Sequence, residues 1–330
     1  MNKLLTIWIP TYRRPECLAQ LIENISLCGL FDLASVVISD NDPIDHPDIL
    51  AAIHKARSEG NCIDYVQNKS NLTAGVNFLR AFEWATTPWL MIVGDDDRFS
   101  SDSLDSIGSL LTTLDSNVIA VKFDSSLFGR QQTLRADCLQ HYLDRLDSAS
   151  YPDAFNNLCL ISNWMFQPLP YLQHVGKAYL GYSSKISHLF PVFAACRSNN
   201  MKIQFLSLQP IIHGTFENDS WPKAATWSEM VITLSSFCGF VDRQDRKALL
   251  ALVLHSDWRR YVAKCFRVHS FYRDKKLGIS PWRIHFQLSF LSLYYFLAFL
   301  ITFPLLLLPI RWLPRACRQQ LGDPGSIERW

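Results

Sequence analysis

Short apolar runs and longer amphipathic stretches take turns through the first third of the chain. Leu4–Ile9, Ser35–Ser39, Cys62–Val66, Trp89–Val93 and Val118–Phe123 are apolar blocks of strand length. Between them, Pro15–Leu27, Pro47–Glu59, Ala74–Ala85 and Ser103–Leu114 repeat their apolar positions with helical spacing. Buried strands alternating with helices of this size predict βαβ units: an α/β domain with a mainly parallel sheet and helices on both faces. Ligands of such sheets bind at the carboxyl ends of the strands.

The pattern is looser beyond Ser125. Leu158–Met165 and Ile203–Ile212 read as strands, and His188–Cys196 as a helix. Ser228–Phe240 and Arg246–Phe266 also have helical spacing. Phe286–Ile310 is nearly free of charge and long enough to cross a bilayer, which takes about 20 apolar residues. Trp282 and Trp312 flank it, with Arg283 before it and Arg311, Arg315 and Arg318 after it. Pro304 and Pro309 would kink it, so a spanning helix, an interfacial or re-entrant pair and a buried core helix all remain open readings.

Composition narrows the function classes. Of 330 residues, 48% are hydrophobic and 19% charged, which suits a packed core and excludes global disorder. A net charge of +2 with no basic stripe gives no sign of a nucleic-acid partner. Nine scattered cysteines without a CxxC pair argue against a zinc site or a disulfide framework.

The ends of the expected strands carry the chemistry. Pro10, Thr11, Tyr12, Arg13 and Arg14 follow the first, and Asp40, Asn41 and Asp42 the second. Asn68 to Asn71, then Gly75 and Asn77, follow the third. Gly94, Asp95, Asp96 and Asp97 follow the fourth. All four groups should meet in one crevice. Consecutive aspartates repel one another unless a cation neutralises them. A divalent cation, Mn²⁺ or Mg²⁺, held by one or two carboxylates and by substrate phosphates would do so. The bland alternative is a solvated loop that caps the next helix.

In these features the first 125 or so residues resemble the inverting family 2 glycosyltransferases of the GT-A fold, of the kind that assemble bacterial surface polysaccharides. The resemblance rests on Ile7 to Tyr12, on Ser39 to Asp42, on Asn71, Gly75 and Asn77, and on Val93 to Asp97. It implies a nucleotide-diphosphate-sugar donor and a glycan acceptor, and together with the apolar segment Phe286–Ile310 a lipid-linked one. It places Pro10, Thr11 and Tyr12 along the nucleoside, Arg14 at a phosphate and Asp40 on the base. Gly75 and Asn77 would flank the nucleotide. The family's Asp-x-Asp motif falls either on Asp95 and Asp97 or one residue earlier, with Asp96 as metal ligand, so Asp96 and Asp97 are the metal candidates and Asp95 a nucleotide contact. A histidine after a late strand serves some GT-A enzymes as a further metal ligand, and His213 stands in that position.

The family's Glu-Asp base pair would fall on His188 and Leu189, where the carboxylates are missing. His188, and Asp219 in the segment Glu217 to Trp221, are the remaining candidates for a general base. The resulting expectation has a nucleotide-sugar half over 1–125, an acceptor half with a helical extension over 126–280, a hydrophobic membrane-associated segment over 281–315 and a polar tail over 316–330. Such an enzyme would work at the cytoplasmic side of the plasma membrane. Two other readings stay open: a metal-dependent nucleotidyl- or phosphotransferase, although no Walker-type loop is present, and a catalytically silent glycan-binding scaffold of the same fold.

Overall fold

A computed structural model of the chain describes residues 3–125, 134–136, 139–146, 154, 157–179, 187–198 and 201–214. The chain divides into two compact units, 1–216 and 217–330, and every described residue lies in the first. Asp219, the helices expected at Ser228–Phe240 and Arg246–Phe266, and the apolar segment Phe286–Ile310 lie outside the described residues.

Ten strands and seven α-helices are described, in the order β1 (Leu5–Thr11), α1 (Pro15–Leu27), β2 (Ala34–Asp40), α2 (Pro47–Ser58), β3 (Ile63–Gln67), α3 (Thr73–Trp84), β4 (Trp89–Ile92), β5 (Arg98–Phe99), α4 (Ser103–Thr113), β6 (Val118–Phe123), β7 (Leu134–Ala136), α5 (Leu139–Leu143), β8 (Trp164–Phe166), α6 (Pro168–Ala178), α7 (Leu189–Ser198), β9 (Lys202–Leu206) and β10 (Ile211–Ile212). Eight strands form one sheet in the order β3-β2-β1-β4-β8-β6-β9-β7, and β5 pairs with β10 in a small second sheet. The pairs β1–β2, β2–β3, β1–β4 and β6–β9 are parallel. Strand β8 runs antiparallel to both β4 and β6, and β7 antiparallel to β9. The sheet is therefore mainly parallel, with two reversed strands in its later half.

The two faces of β1 show how the sequence builds this layer. Side chains alternate along a strand. Leu5, Ile7 and Ile9 join a core with Leu18, Leu21 and Ile25 of α1, Ile49 and Ile53 of α2 and Ile107 of α4. Thr6 and Trp8 take the other face. Thr6 Oγ1 lies 2.8 Å from Thr87 Oγ1, and the Trp8 ring lies 6.3 Å from that of Trp84 at the end of α3. On this side Phe82 of α3 stacks on Tyr171 of α6 at 5.0 Å and meets Phe166 of β8 edge-on at 5.2 Å. Both helices beside β1 and β2 start with proline, whose fixed φ suits the first turn: Pro15 in α1 and Pro47 in α2.

Two expected strands are shorter than the hydrophobic pattern suggests. Leu158–Met165 reaches strand geometry only at Trp164. Residues 157–159 are helical and Ile161–Asn163 form a 3₁₀ turn, because the side chains of Asn157, Ser162 and Asn163 turn inward to buried polar partners. Ile203–Ile212 breaks after Leu206. Pro210 has no N–H to continue a ladder, and its carbonyl instead accepts from Ser100 N and Ser103 Oγ. Both expected halves of the fold share the large sheet, since β6, on one side of residue 125, pairs with β8 and β9 on the other.

Phe82 carries the contact between α3, α6 and β8. Phe82→Ala should lower the unfolding free energy by about 3–5 kcal/mol in denaturant titrations, the usual cost of emptying a buried aromatic site.

Candidate functional site

The carboxyl ends of β1, β2, β3 and β4 are tied together by polar bonds that continue where the strand ladders stop. Asn41 N donates to Thr11 O at 2.9 Å, and Asn68 N to Asp40 O at 2.8 Å. The Asn41 amide accepts from Asn68 Nδ2 (3.2 Å) and Leu72 N (3.0 Å) and donates to Asn71 Oδ1 (3.0 Å). Asn77 is buried with its amide engaged on Ser39: its Oδ1 accepts from Ser39 Oγ at 2.6 Å and its Nδ2 donates to Ser39 O at 3.1 Å. Asn77 therefore braces the crevice wall. Gly75 is buried two residues earlier in α3, and its carbonyl accepts from Ser187 Oγ at 3.5 Å.

Two residues at these ends hold a left-handed backbone that L side chains rarely adopt, Arg13 (φ 58°) and Thr73 (φ 69°). Such strain persists only where surrounding contacts impose it. For Arg13 the contact is Asp42, whose carboxylate accepts from its Nε, and His46 Nε2 lies 3.0 Å from the same oxygen. Arg13, and then His46, hold the Asp42 carboxyl down to about 2. The Arg13 guanidinium also sits 5.0 Å from the centre of the Tyr12 ring. Tyr12 is 38% exposed, an accessible aromatic face beside Pro10 at the end of β1. Asp40 is buried. Its Oδ2 accepts from Tyr65 OH at 3.0 Å and its Oδ1 from Asp42 N at 2.9 Å, and burial raises its carboxyl above the usual range.

The three aspartates after β4 divide into different environments. Asp95 turns inward: its Oδ2 accepts from Thr11 Oγ1 at 2.7 Å and its Oδ1 from Arg14 at 3.2 Å. Arg14 also reaches Asp96 Oδ2 at 3.2 Å. The Asp96 side chain is about one-third exposed, whereas those of Asp95 and Asp97 are mostly covered. Asp97 Oδ1 lies 3.1 Å from His213 Nδ1 and accepts from Gly214 N at 3.3 Å. The other ring nitrogen of His213, Nε2, lies 3.1 Å from Asn163 Oδ1. Gly94 makes this packing possible. A Cβ there would come within 2.7 Å of Asp96 Oδ1 and 3.2 Å of Asp97 Oδ2. Both carboxylates thus fold over the space that a side chain at residue 94 would fill, while Gly94 N is anchored on Ser162 Oγ at 3.0 Å.

Burial pushes Asp95 up to about 6, against the opposing pull of Thr11 and Arg14. Asp96 is raised by burial and by Asp97 beside it. Among the described residues no three His, Cys, Asp or Glu side chains close around a point tightly enough to hold a metal by themselves. Asp96 and Asp97 over Gly94, with His213 against Asp97, make an open donor set of oxygen and nitrogen. That suits a hard divalent cation whose remaining ligands come from phosphate.

His188 does not meet the requirements of a general base in this structure. It is 0% exposed, in a turn before α7, and beside the Trp164 ring. Its Nε2 lies 3.4 Å from Leu158 O, its Nδ1 has no partner among the described residues, and burial lowers it to about 3, which leaves it neutral. A base must reach an acceptor hydroxyl, and a ring without accessible surface does not. The expectation of His188 as base is corrected on that ground. Asp219 lies outside the described residues. Sequence reasoning also missed Lys122, Asn157, Ser162 and Asn163. Lys122 left one trace, a lone cation inside the otherwise apolar β6.

A mainly parallel sheet with polar strand ends at its carboxyl edge and an acidic turn after one strand frames this site. Residues 6–160 match the model of the family described as Glycosyl transferase family 2, and this stretch of the chain is a family 2 glycosyltransferase domain. The abequosyltransferase RfbV of Salmonella typhimurium is 33% identical over 114 residues, which is 34% of this chain and 33% of that enzyme. The chain thus matches about a third of the length of this curated relative. Among solved structures, TarS 1-349 of S. aureus superposes with a TM-score of 0.53 at 14% identity, covering 99% of this chain and 90% of TarS 1-349. The mannosyltransferase PcManGT of Pyrobaculum calidifontis, solved in complex with GDP-Man and Mn²⁺, gives 0.52 at 12% identity over 92% and 87% of the two chains. At these identities the structures attest the shared fold.

The buried Asp95 yields a pH-dependence. Its folded value, about 6, lies above the unfolded 3.8, so its contribution to stability is fully present below about pH 3.8 and is lost as pH rises through about 6. Without metal, Asp95→Asn should therefore melt above wild type at pH values over about 6, and the two should converge near pH 4.

Proposed function

We propose that this protein transfers a sugar from a nucleotide-diphosphate sugar to a glycan acceptor in surface-polysaccharide assembly. The observation that carries this reading is the arrangement of Asp95, Asp96 and Asp97 at one crevice with Thr11, Tyr12 and Arg14. Family 2 membership of residues 6–160 and the likeness to an abequosyltransferase support it.

In this reading Pro10 and Tyr12 offer the nucleoside an apolar and aromatic wall, and Asp40, 0% exposed with its two oxygens accepting from Tyr65 OH and Asp42 N, braces that wall without meeting the base. Arg14 is a cation within reach of the diphosphate. Asp95, drawn inward by Thr11, stands at the ribose. Asp96, Asp97 and His213 would hold a divalent cation, Mn²⁺ or Mg²⁺, which when bound offsets the charge on the departing diphosphate. The complex of PcManGT with GDP-Man and Mn²⁺ is consistent with such a set. The displacement is inverting, with the acceptor hydroxyl attacking from the face opposite the diphosphate and a base taking its proton. His188 is buried, and Asp219, which lies outside the described residues, is the base this reading proposes.

The acceptor is a lipid-linked glycan in this proposal, and the apolar segment Phe286–Ile310 is its support. That segment would associate the protein with the cytoplasmic side of the plasma membrane, where nucleotide sugars are made. Among the described residues no helix is long and apolar enough to cross a membrane.

A screen of nucleotide sugars with purified protein and a polyprenyl-diphosphate-linked acceptor tests the proposal. Transfer should require Mn²⁺ or Mg²⁺. Asp96→Ala and Asp97→Ala should each reduce it by about 10²–10³-fold, the scale of losing a group that stabilises developing charge. Nucleoside-diphosphate binding that calorimetry finds indifferent to metal would count against this assignment.

A further inference from the structure

A buried polar chain runs from β6 to the acidic turn. Lys122 Nζ donates to Phe123 O (3.0 Å), Asn163 O (3.4 Å) and Asn157 Oδ1 (3.0 Å), a partner for each of its three protons. Asn157 Oδ1 also lies 3.4 Å from Asn163 Nδ2, and Asn163 Oδ1 lies 3.1 Å from His213 Nε2. Lys122, Asn157 and Asn163 are all buried, so water does not compete for these bonds.

Donors and acceptors along this chain cannot be exchanged freely. Lys122 Nζ donates to two backbone carbonyls, and as an ammonium, which burial disfavours and the nearby Asp124 favours, it has a third proton for the carbonyl oxygen of Asn157. The other end of the same amide imposes the same orientation: Asn157 Nδ2 lies 3.5 Å from Asp124 Oδ1, a carboxylate oxygen that accepts. With Asn157 Oδ1 fixed as an acceptor, Asn163 must present its NH₂ to it. Asn163 then presents its carbonyl oxygen to His213, and His213 must donate from Nε2. In the neutral ring this leaves Nδ1 without a proton, yet Nδ1 sits 3.1 Å from Asp97 Oδ1. Two lone pairs facing each other at that distance repel unless a proton or a metal cation lies between them: a second proton makes His213 an imidazolium paired with Asp97, and at alkaline pH, where that proton is lost, a metal cation can take its place.

We infer that Lys122, Asn157 and Asn163 are positioning residues that hold His213 as its Nε2–H tautomer, so that the Nδ1 lone pair is offered, with Asp97, to a cation. A metal-binding histidine is commonly fixed through its other ring nitrogen in this way. The offer to a cation rests on the metal reading proposed above, whereas the proton on Nε2 is argued from the hydrogen bonds that orient Asn157 and Asn163.

Long-range ¹H–¹⁵N spectra of metal-free protein labelled on its histidines, taken at alkaline pH, test the tautomer directly, with His213→Gln assigning the signal. Wild type should show His213 protonated on Nε2 only. Asn163→Leu removes the acceptor and should move the proton to Nδ1, where Asp97 accepts it. Asn157→Leu touches neither His213 nor Asp97 and should shift the population the same way. If that variant melts early because Lys122 loses a partner, Lys122→Met/Asn157→Leu replaces both partners with apolar groups and keeps the core filled. A proton on Nδ1 in wild type, or an unchanged Nε2–H tautomer in the folded Asn157 variants, overturns the inference. Mn²⁺ binding followed by electron paramagnetic resonance gives the second readout. Each variant should bind about 10–100-fold more weakly than wild type. Wild type that shows the Nε2–H tautomer but binds no Mn²⁺, with or without nucleoside diphosphate, overturns the metal reading and leaves the positioning role standing.

Discussion

Mutual repulsion among three carboxylates at the end of a buried strand is the constraint around which this structure is arranged. Strand β4 delivers Asp95, Asp96 and Asp97 to one turn, and each finds a different answer. Asp95 is drawn inward by Thr11 from β1 and by Arg14 from the start of α1. Asp97 is met by His213 and Gly214, which follow β10. Asp96 shares Arg14 and is the most exposed of the three. Gly94 leaves the room for two of the carboxylates to fold over one Cα. A cluster disposed this way is only partly neutralised by protein, and the proposed function puts a cation and a diphosphate against what remains.

Much of the neighbouring architecture supports that turn. The left-handed residue Arg13 and the salt bridge to Asp42 shape the reversal from β1 into α1, which places Arg14 within reach of Asp95 and Asp96. The asparagines Asn41, Asn68 and Asn71 lace the ends of β2 and β3 together and keep the adjoining wall in place. On the other side, the reversed strand β8 stands between β4 and β6 and pairs with both. There Ser162 holds Gly94, and the Lys122 network reaches His213. Part of the site is bound at a cost in folding energy, as the raised carboxyls of Asp95 and Asp96 show. That is the usual relation between a functional site and the stability of the fold that carries it.

How legible this was in the sequence varied with the range of the interaction. Helix α1 over Pro15–Leu27 and strand β6 over Val118–Phe123 coincide with their hydrophobic spacing, and the other early elements differ from theirs by one or two residues at an end. The crevice was legible because every strand end of a parallel sheet points the same way, so polar residues after four strands must meet. Leu158–Met165 misled because its apolar residues suit a strand, while Asn157, Ser162 and Asn163 serve partners far away in the chain. No local periodicity records those partners. His188 misled for a related reason. Its place in the family pattern marked a functional position, and only packing against Trp164 and Leu158 showed it to be enclosed.

The sequence by itself determined the α/β class, the order of strands and helices through β6 apart from the two-residue β5, and the convergence of Thr11, Arg14, Asp40 and the three aspartates on one edge. Periodicity and strand direction are short-range properties, and they suffice for that. Only the tertiary structure decided which aspartate turns inward, that His213 lies against Asp97, and that a lysine buried in β6 is linked to that histidine through two asparagines. Those outcomes depend on distance, burial and the one-way logic of donors and acceptors between segments as far apart as Asp97 and His213.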